Sequence, residues 1–258
     1  MPFRFDDAAA YEHMMGRWSA GVAPPFLDWL ALPAGLDWLD AGCGAGAFTQ
    51  ALLARQRPRS VVGVDPSPAQ LDFARRRMRR DAVHFVVADA QSVPLPSASV
   101  DAATMALVLF FLPDPLRGVR ELARVTRPGG TVAAYHWDMA GGGFPLQPIV
   151  DALRAEGLAS HPPPSHWASS RDASAALWRD AGLADVQTCR IEVQRAFGHF
   201  DEFWSTARGS SRLRELLAAL PDAQRRHVKQ RVRQALGTPA DGPLRLTATA
   251  NAVKGRRH

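Results

Sequence analysis

The sequence predicts an α/β fold, an open sheet of seven mostly parallel strands with helices on both faces. Three observations predict it. Short apolar runs alternate with helix-like stretches from Leu36 to Asp138. The runs are apolar almost throughout, as strands buried on both faces are. A glycine-rich loop at 42–46 follows the first run, and ligands of open parallel sheets bind at the carboxyl ends of strands.

The elements follow in order. Residues 1–34 read as a helical arm, with Pro24, Pro25 and Pro33 interrupting the pattern. "LDWLDAG" is a first strand and "AFTQALLARQ" the helix after it. "SVVGVD" is a second buried strand. "SPAQLDFARRRMRR" is a helix with Ser67 as N-cap and Pro68 at its first position. "VHFVVAD" is a third strand, and "SVDAATMALVLFFL" contains a fourth. "LRGVRELARVTRPGG" reads as a helix closed by Pro-Gly-Gly, and "TVAAYHWD" as a fifth strand. "ADVQTCRIEVQR" and "PLRLTATANAV" are two further strands. Residues 198–240, Arg-rich and helical, lie between them, where an insertion would cover the ligand edge as a lid. The chain thus reads as one Rossmann-like domain over 1–258. Its parts are the arm at 1–34, a ligand-binding core at 35–138 and the lid at 198–240.

With 258 residues, 47% of them hydrophobic, the chain is long enough for one substantial core. A net charge of +6 permits nucleic acid or acidic lipid as a partner without demanding either. Two cysteines, Cys43 and Cys189, make no disulfide framework, and a reducing compartment follows. The longest strongly apolar run, 102–112, is shorter than the ~20 residues a membrane helix needs. A soluble cytoplasmic protein is expected, with the oligomeric state left open.

The chemistry concentrates at strand ends. Gly42, Gly44 and Gly46 let ligand atoms approach the backbone. Asp65 closes the second strand, where a carboxylate can accept both hydroxyl protons of a ribose. A nucleoside ligand follows. The spacing is Gly-x-Gly-x-Gly, whereas dinucleotide sites use Gly-x-Gly-x-x-Gly against a pyrophosphate. Asp40, just before the loop, would repel a pyrophosphate but suits a ligand bearing an ammonium and a sulfonium. An NAD(P)-dependent oxidoreductase is thereby disfavoured. Asp89 ends the third strand and can accept an adenine amino proton, while the Ala90 amide can donate to the ring. Alone, Asp89 reads as a helix cap; with Asp40 and Asp65 it makes three acids at three successive strand ends.

"LDAGCGAGAFT", "VVGVDPSP", "VVADAQSVPLPSASVDA" and "ELARVTRPGGTVAAY" resemble the successive motifs of class I S-adenosylmethionine-dependent methyltransferases. The resemblance is strong over 36–138. More weakly, "AYEHMMGRWS" and "PLRLTATANAVKGR" are similar to a bacterial small-molecule-type subgroup. The resemblance implies S-adenosylmethionine as cofactor and a small-molecule methyl acceptor. Gly42, Cys43, Gly44 and Gly46 would line its methionine half, with Asp40 on the ammonium side. Asp65 would hold the ribose, Pro66 would pack on the adenine, and Ser67 would cap the next helix. Asp89 and Ala90 would read the adenine edge. Backbone near Ala106 and Leu107 would accept from the ammonium. Arg17 would pair with the cofactor carboxylate, and Tyr11 would close over the methyl group.

A catalytic base is harder to find. Relatives commonly carry His or Asn after the fourth strand; Phe110 and Phe111 stand there and suggest an apolar pocket wall. His136 is a candidate base, against the reading of a histidine packed on the sheet. Trp137, Asp138 and Trp204 are candidate acceptor contacts, although Trp204 and Phe203 equally suit anchoring the lid. His161 and His166 flank a Pro-rich loop and make no metal-ligand spacing with each other or with a cysteine. The segments "ARRRMRR" and "PDAQRRHVKQRVRQALG" suit phosphate binding, so a nucleic-acid methyltransferase is one alternative. In the second, Val228, Val232 and Leu236 form an apolar stripe that leaves the arginines on a solvated face. An inactive cofactor-binding protein is the other alternative.

Overall fold

The computed structural model describes residues 15–158, 162–209, 211–237 and 242–258. Its seven strands are β1 (Asp37–Ala41), β2 (Ser60–Asp65), β3 (Val83–Val87), β4 (Val100–Ala106), β5 (Thr126–Trp137), β6 (Leu183–Phe197) and β7 (Leu244–Arg257). They form one sheet in the order β3-β2-β1-β4-β5-β7-β6. The first five are parallel, and β7 runs antiparallel to both β5 and β6. The carboxyl ends of β1–β6 therefore share one edge of the sheet.

The helices are α1 (Arg17–Leu30), α2 (Ala47–Gln56), α3 (Pro68–Arg77), α4 (Pro115–Val125), α5 (Gln147–Ala155), α6 (Arg171–Asp180), α7 (Phe200–Ala207), α8 (Ser211–Ala218) and α9 (Asp222–Ala235). One apolar layer lies beneath α1, α2 and α7–α9 and includes Phe26, Phe48, Tyr135 and Trp137. The other lies beneath α4 and α6 and includes Leu39, Val64, Leu122 and Trp178. Helices α7–α9 occupy the chain between β6 and β7, as the sequence suggests.

Two expected boundaries are corrected. Pro24 and Pro25 do not break α1, which runs through both. Its buried face, Trp18, Val22, Phe26, Leu27 and Leu30, holds the helix although two backbone donors are missing. Second, the helix before β5 does not extend to Pro-Gly-Gly. It ends at Val125, and Thr126 already begins β5. Pro128 would clash inside a helix. The chain instead enters the sheet through a register shift between Val100 and Ala102, the glycines sitting in that irregular entry. Arg127 fixes the entry by donating to Asp101 at 2.5 Å and to the Ser99 carbonyl at 2.7 Å.

Ser67 caps α3 as expected, its hydroxyl accepting from the Gln70 amide, with Pro68 first in the helix. The same device opens α4, where Asp114 accepts from the Arg117 amide ahead of Pro115. Below the sheet, Asp37 accepts from Arg59, Ser60 and Arg127, tying the amino ends of β1, β2 and β5 together. The Arg59 guanidinium holds the Asp37 carboxyl well below the usual carboxylate range. No described helix is long and apolar enough to cross a membrane.

Candidate active site

The glycine loop forms where β1 meets α2. Gly42, Gly44 and Gly46 all take positive φ, at +76°, +52° and +82°. Their reasons differ. A Cβ at Gly42 would stand 2.3 Å from Val108, and one at Gly46 would meet the Met78 methyl. A Cβ at Gly44 would meet nothing nearer than 3.9 Å. Gly44 therefore has room for a Cβ among the described residues, with only Gln70 Oε1 in ordinary contact, while Gly42 and Gly46 are packed against protein. The Gly42 and Cys43 amides donate to the Val64 carbonyl, fastening the loop to the end of β2.

Asp65 stands at that end. Its Oδ2 accepts from the Gly44 amide at 2.9 Å and its Oδ1 from the Ser67 amide at 2.9 Å. Burial raises its pKa, with those two bonds opposing the shift. Asp40 lies deeper, with no exposed surface, at the carboxyl end of β1. The Thr49 hydroxyl donates to its Oδ2 at 2.6 Å, while Oδ1 has no partner among the described residues. Burial pushes its pKa up to about 7, and the nearby Asp65 charge adds to the rise. A buried carboxylate with an unsatisfied oxygen beside a second acid is a site short of positive charge.

Asp89 is exposed after β3 and accepts from the Gln91 amide at 2.8 Å, while Ala90 is buried. Pro66 is exposed and Ser67 half-buried beside Asp65. The structure thus gathers the glycines, Asp40, Asp65, Pro66 and Ser67 around one loop, with Asp89 and Ala90 at the next strand end. Cys43 contributes only its backbone. Its side chain turns inward, where a Cβ at Gly63 would come within 2.9 Å of the sulfur. Burial pushes the thiol pKa well up, so the sulfur is a packing group and no nucleophile.

After β4, Ala106 is half-buried and Leu107 takes φ +63°, a left-handed conformation that strains a residue with a branched side chain. Its amide donates to the Tyr135 carbonyl at 2.8 Å, which holds the strain in place. No sequence signal marks this position, since neither glycine nor asparagine occupies it. Phe110 is buried, with its ring 4.4 Å from that of Phe111. Ser165 bonds the Phe110 and Leu112 carbonyls, tying this loop to the turn at His166–Ser169.

The candidate base is corrected. His136 has no exposed surface, and neither ring nitrogen has a partner among the described residues. Burial lowers its pKa to about 4. It alternates with Tyr135 and Trp137, so its ring lies on the sheet face opposite α1, and an acceptor cannot reach it. Trp137 is buried too, while Asp138 is half-buried and accepts from the Gly141 amide. Trp204 is buried and stacks on Phe200, and Phe203 meets Phe197 edge-on at 5.4 Å. These contacts anchor α7 to the sheet. Arg17 is exposed in the first turn of α1. Tyr11 and His161 lie outside the described residues, and His166 is exposed. No group of described residues could hold a metal ion.

Residues 39–134, which carry this entire loop, match the family model described as "Methyltransferase domain". This segment is similar to methyltransferase domains. Malonyl-[acyl-carrier protein] O-methyltransferase of Serratia marcescens is 36% identical over 128 residues, 50% of this chain and 46% of that protein. The chain spans about half the length of the curated relatives it matches. The fold is that of the YcgJ protein of Bacillus subtilis, with a TM-score of 0.61, 18% identity, and 94% of this chain and 99% of that one covered. Geranyl diphosphate C-methyltransferase from Streptomyces coelicolor A3(2), solved with Mg2+, geranyl diphosphate and S-adenosyl-L-homocysteine, aligns with a TM-score of 0.56 at 20% identity, covering 94% and 80%. The matched residues end three residues before Trp137, so the last two strands, α1 and α7–α9 lie outside the match.

Proposed function

We propose that the protein transfers a methyl group from S-adenosylmethionine to a small organic acceptor. The observation that carries this is the buried Asp40 Oδ1, without a partner among the described residues, near the Gly44 loop and the Asp65 carboxylate. An ammonium or sulfonium supplies the positive charge this pocket lacks, and a pyrophosphate would be repelled. Two of these relatives are named for malonyl-[acyl-carrier protein] and geranyl diphosphate, which supports a small organic acceptor group.

When bound, the cofactor supplies a methyl group on a sulfonium, already activated for displacement. The chain's own residues then orient and exclude. The open face of Gly44 and the backbone at Leu107 would seat the methionine half. Asp65 would exchange its bond from the Gly44 amide for the ribose hydroxyls, and Asp89 with the Ala90 amide would read the adenine edge. Holding an acceptor in line with the methyl can supply ~7–11 kcal/mol of the barrier. Helices α7–α9 would cover the edge as a lid and keep water away. Phe110 and Phe111 occupy the loop after β4, so an acceptor that reacts without losing a proton to a protein base fits best.

A nucleic-acid acceptor has less support. On α9, Arg225 pairs with Asp222, Lys229 with Asp201 at 2.7 Å, and Arg231 with Glu156 at 3.7 Å. With three of its five cations matched to acids of this chain, the helix is a weaker phosphate track. The test is transfer of labelled methyl from S-adenosylmethionine across phenols, amines, carboxylic acids and transfer RNA. Transfer to a small molecule supports the reading; transfer to RNA alone overturns it.

A further inference from the structure

We propose that the open cleft between α2 and the tail of α3 binds a short free phosphate chain, a triphosphate, through Arg76, Arg79 and Arg80. The site is separate from the methyl-transfer site and does not depend on that reading. The cleft has a volume of about 470 Å3. Small-ligand sites run from roughly 300 to 1,000 Å3. One wall is Gln50, Leu53 and Ala54, which share a face of α2 at i, i+3 and i+4. The other wall is the run from Arg76 to Arg80.

The backbone of this run is held in place. Helix α3 ends at Arg77, and the Met78 amide donates to the Ala74 carbonyl at 2.9 Å. Met78 is buried, with its methyl group against Gly46. The Arg80 carbonyl accepts from the Val83 amide at 3.0 Å. The chain is therefore fixed on both sides of Arg79, while the arginines flanking Met78 are exposed. Cations in the last turn of a helix are ordinary, because they suit its dipole. That accounts for Arg75, Arg76 and Arg77, but Arg79 and Arg80 lie beyond the cap.

Acids of the chain leave the cleft positive. Arg75 takes Asp72 at 2.8 Å, and Arg77 has interactions of its own. Arg76, Arg79 and Arg80 make no side-chain hydrogen bond or ion pair among the described residues. Three like charges around one cavity raise its potential, and an anion with several charged oxygens relieves the repulsion. Guanidiniums meet phosphate oxygens in paired bonds, and Gln50 adds a neutral donor from the facing wall. Asp72 and Asp81 stand at either end of the arginine run. They confine the positive patch to the cleft, which suits a short chain better than the long backbone of a nucleic acid. The diester pyrophosphate of a dinucleotide has two charges and no free end, a poorer match for three cations.

The experiment is calorimetry on the whole protein in low-salt, magnesium-free buffer. The probes are inorganic tripolyphosphate, ATP, inorganic phosphate and a short single-stranded RNA. Tripolyphosphate should bind at least about tenfold tighter than inorganic phosphate, since each added phosphate gains charge-assisted bonds. ATP binding equally well identifies a nucleotide as the source of the chain; binding of tripolyphosphate without ATP identifies a free polyphosphate. The double variant Arg79→Gln, Arg80→Gln should lose about tenfold or more in tripolyphosphate affinity, with thermal unfolding unchanged because both side chains are exposed. Arg225→Gln with Arg226→Gln, on α9, should leave that affinity as it is. No binding of tripolyphosphate, equal binding of inorganic phosphate, or full affinity in the Arg79, Arg80 variant overturns the proposal. So does tighter binding of the RNA, or competition by S-adenosyl-L-homocysteine, which would place the phosphates in the glycine loop.

Discussion

The Gly44 amide donates to Asp65 Oδ2 at 2.9 Å, so the acid at the end of β2 is oriented by the loop it serves. The Ser67 amide holds the other oxygen at the same distance. Removing the carboxylate takes away a ligand contact and also leaves two amides without their acceptor. Asp65→Ala should therefore weaken S-adenosyl-L-homocysteine binding about 10- to 100-fold, the range of a lost charged hydrogen bond. Asp65→Asn, which keeps one acceptor oxygen and the shape, should fall between. Calorimetric titration of the three proteins checks this, and wild-type affinity in the Ala variant would remove Asp65 from the ribose site.

Asp40 gives the stability a pH dependence of definite sign. Its pKa rises from 3.8 to about 7 on folding. Between about pH 4 and 7 the unfolded chain releases a proton that the folded chain keeps, so this group lowers stability as pH rises through that window. A bound cation reverses the preference and favours the carboxylate. Cofactor binding should release a proton near pH 6–7 and tighten severalfold from pH 6 to 8. Asp40→Asn should bind with no such trend. Titrations in two buffers of different ionisation enthalpy measure the proton directly.

His136 acts with the opposite sign. Its pKa falls from 6.5 to about 4, so below about pH 6.5 the unfolded chain takes up a proton that the folded chain refuses. Stability from this group is present above 6.5 and lost as pH falls toward 4. Its two ring nitrogens also lack partners among the described residues, which costs on the order of 1–3 kcal/mol for a buried group. His136→Leu should be no less stable than wild type at pH 8 and relatively more stable at pH 5, by denaturant titration. Loss of methyl transfer in a folded, cofactor-binding His136→Leu would restore it as a base.

The glycines separate packing from ligand access. Gly42→Ala adds a strained φ and a 2.3 Å contact with branched Val108, and should lower stability by about 1–3 kcal/mol. Gly44→Ala meets open space and should cost only about 1 kcal/mol through its φ, yet should block the cofactor. Thermal unfolding with and without S-adenosyl-L-homocysteine distinguishes the two. A Gly44→Ala protein that is still stabilised by the ligand would move the methionine half elsewhere.

How much of this the sequence carried depended on how local the cause was. β2 begins and ends where "SVVGVD" does, because a run apolar on both faces has one stable place in a parallel sheet. The Ser67-Pro68 cap is local chemistry and was equally legible. Helix α1 was less so, because burial of Phe26 and Leu27 against distant strands outweighs two prolines. The entry to β5 depends on Arg127 reaching Asp101, a contact across 26 residues. In the site, residue types at strand ends were readable, but side-chain direction was not. Cys43 turns inward and His136 faces away for reasons of packing that no motif records. The strain at Leu107 is a tertiary fact throughout.

The most direct test of the account is calorimetric titration of cofactor-free protein with S-adenosylmethionine, S-adenosyl-L-homocysteine and NAD. The account predicts binding of both sulfur compounds and none of NAD. Binding of NAD, or of neither sulfur compound, would contradict it.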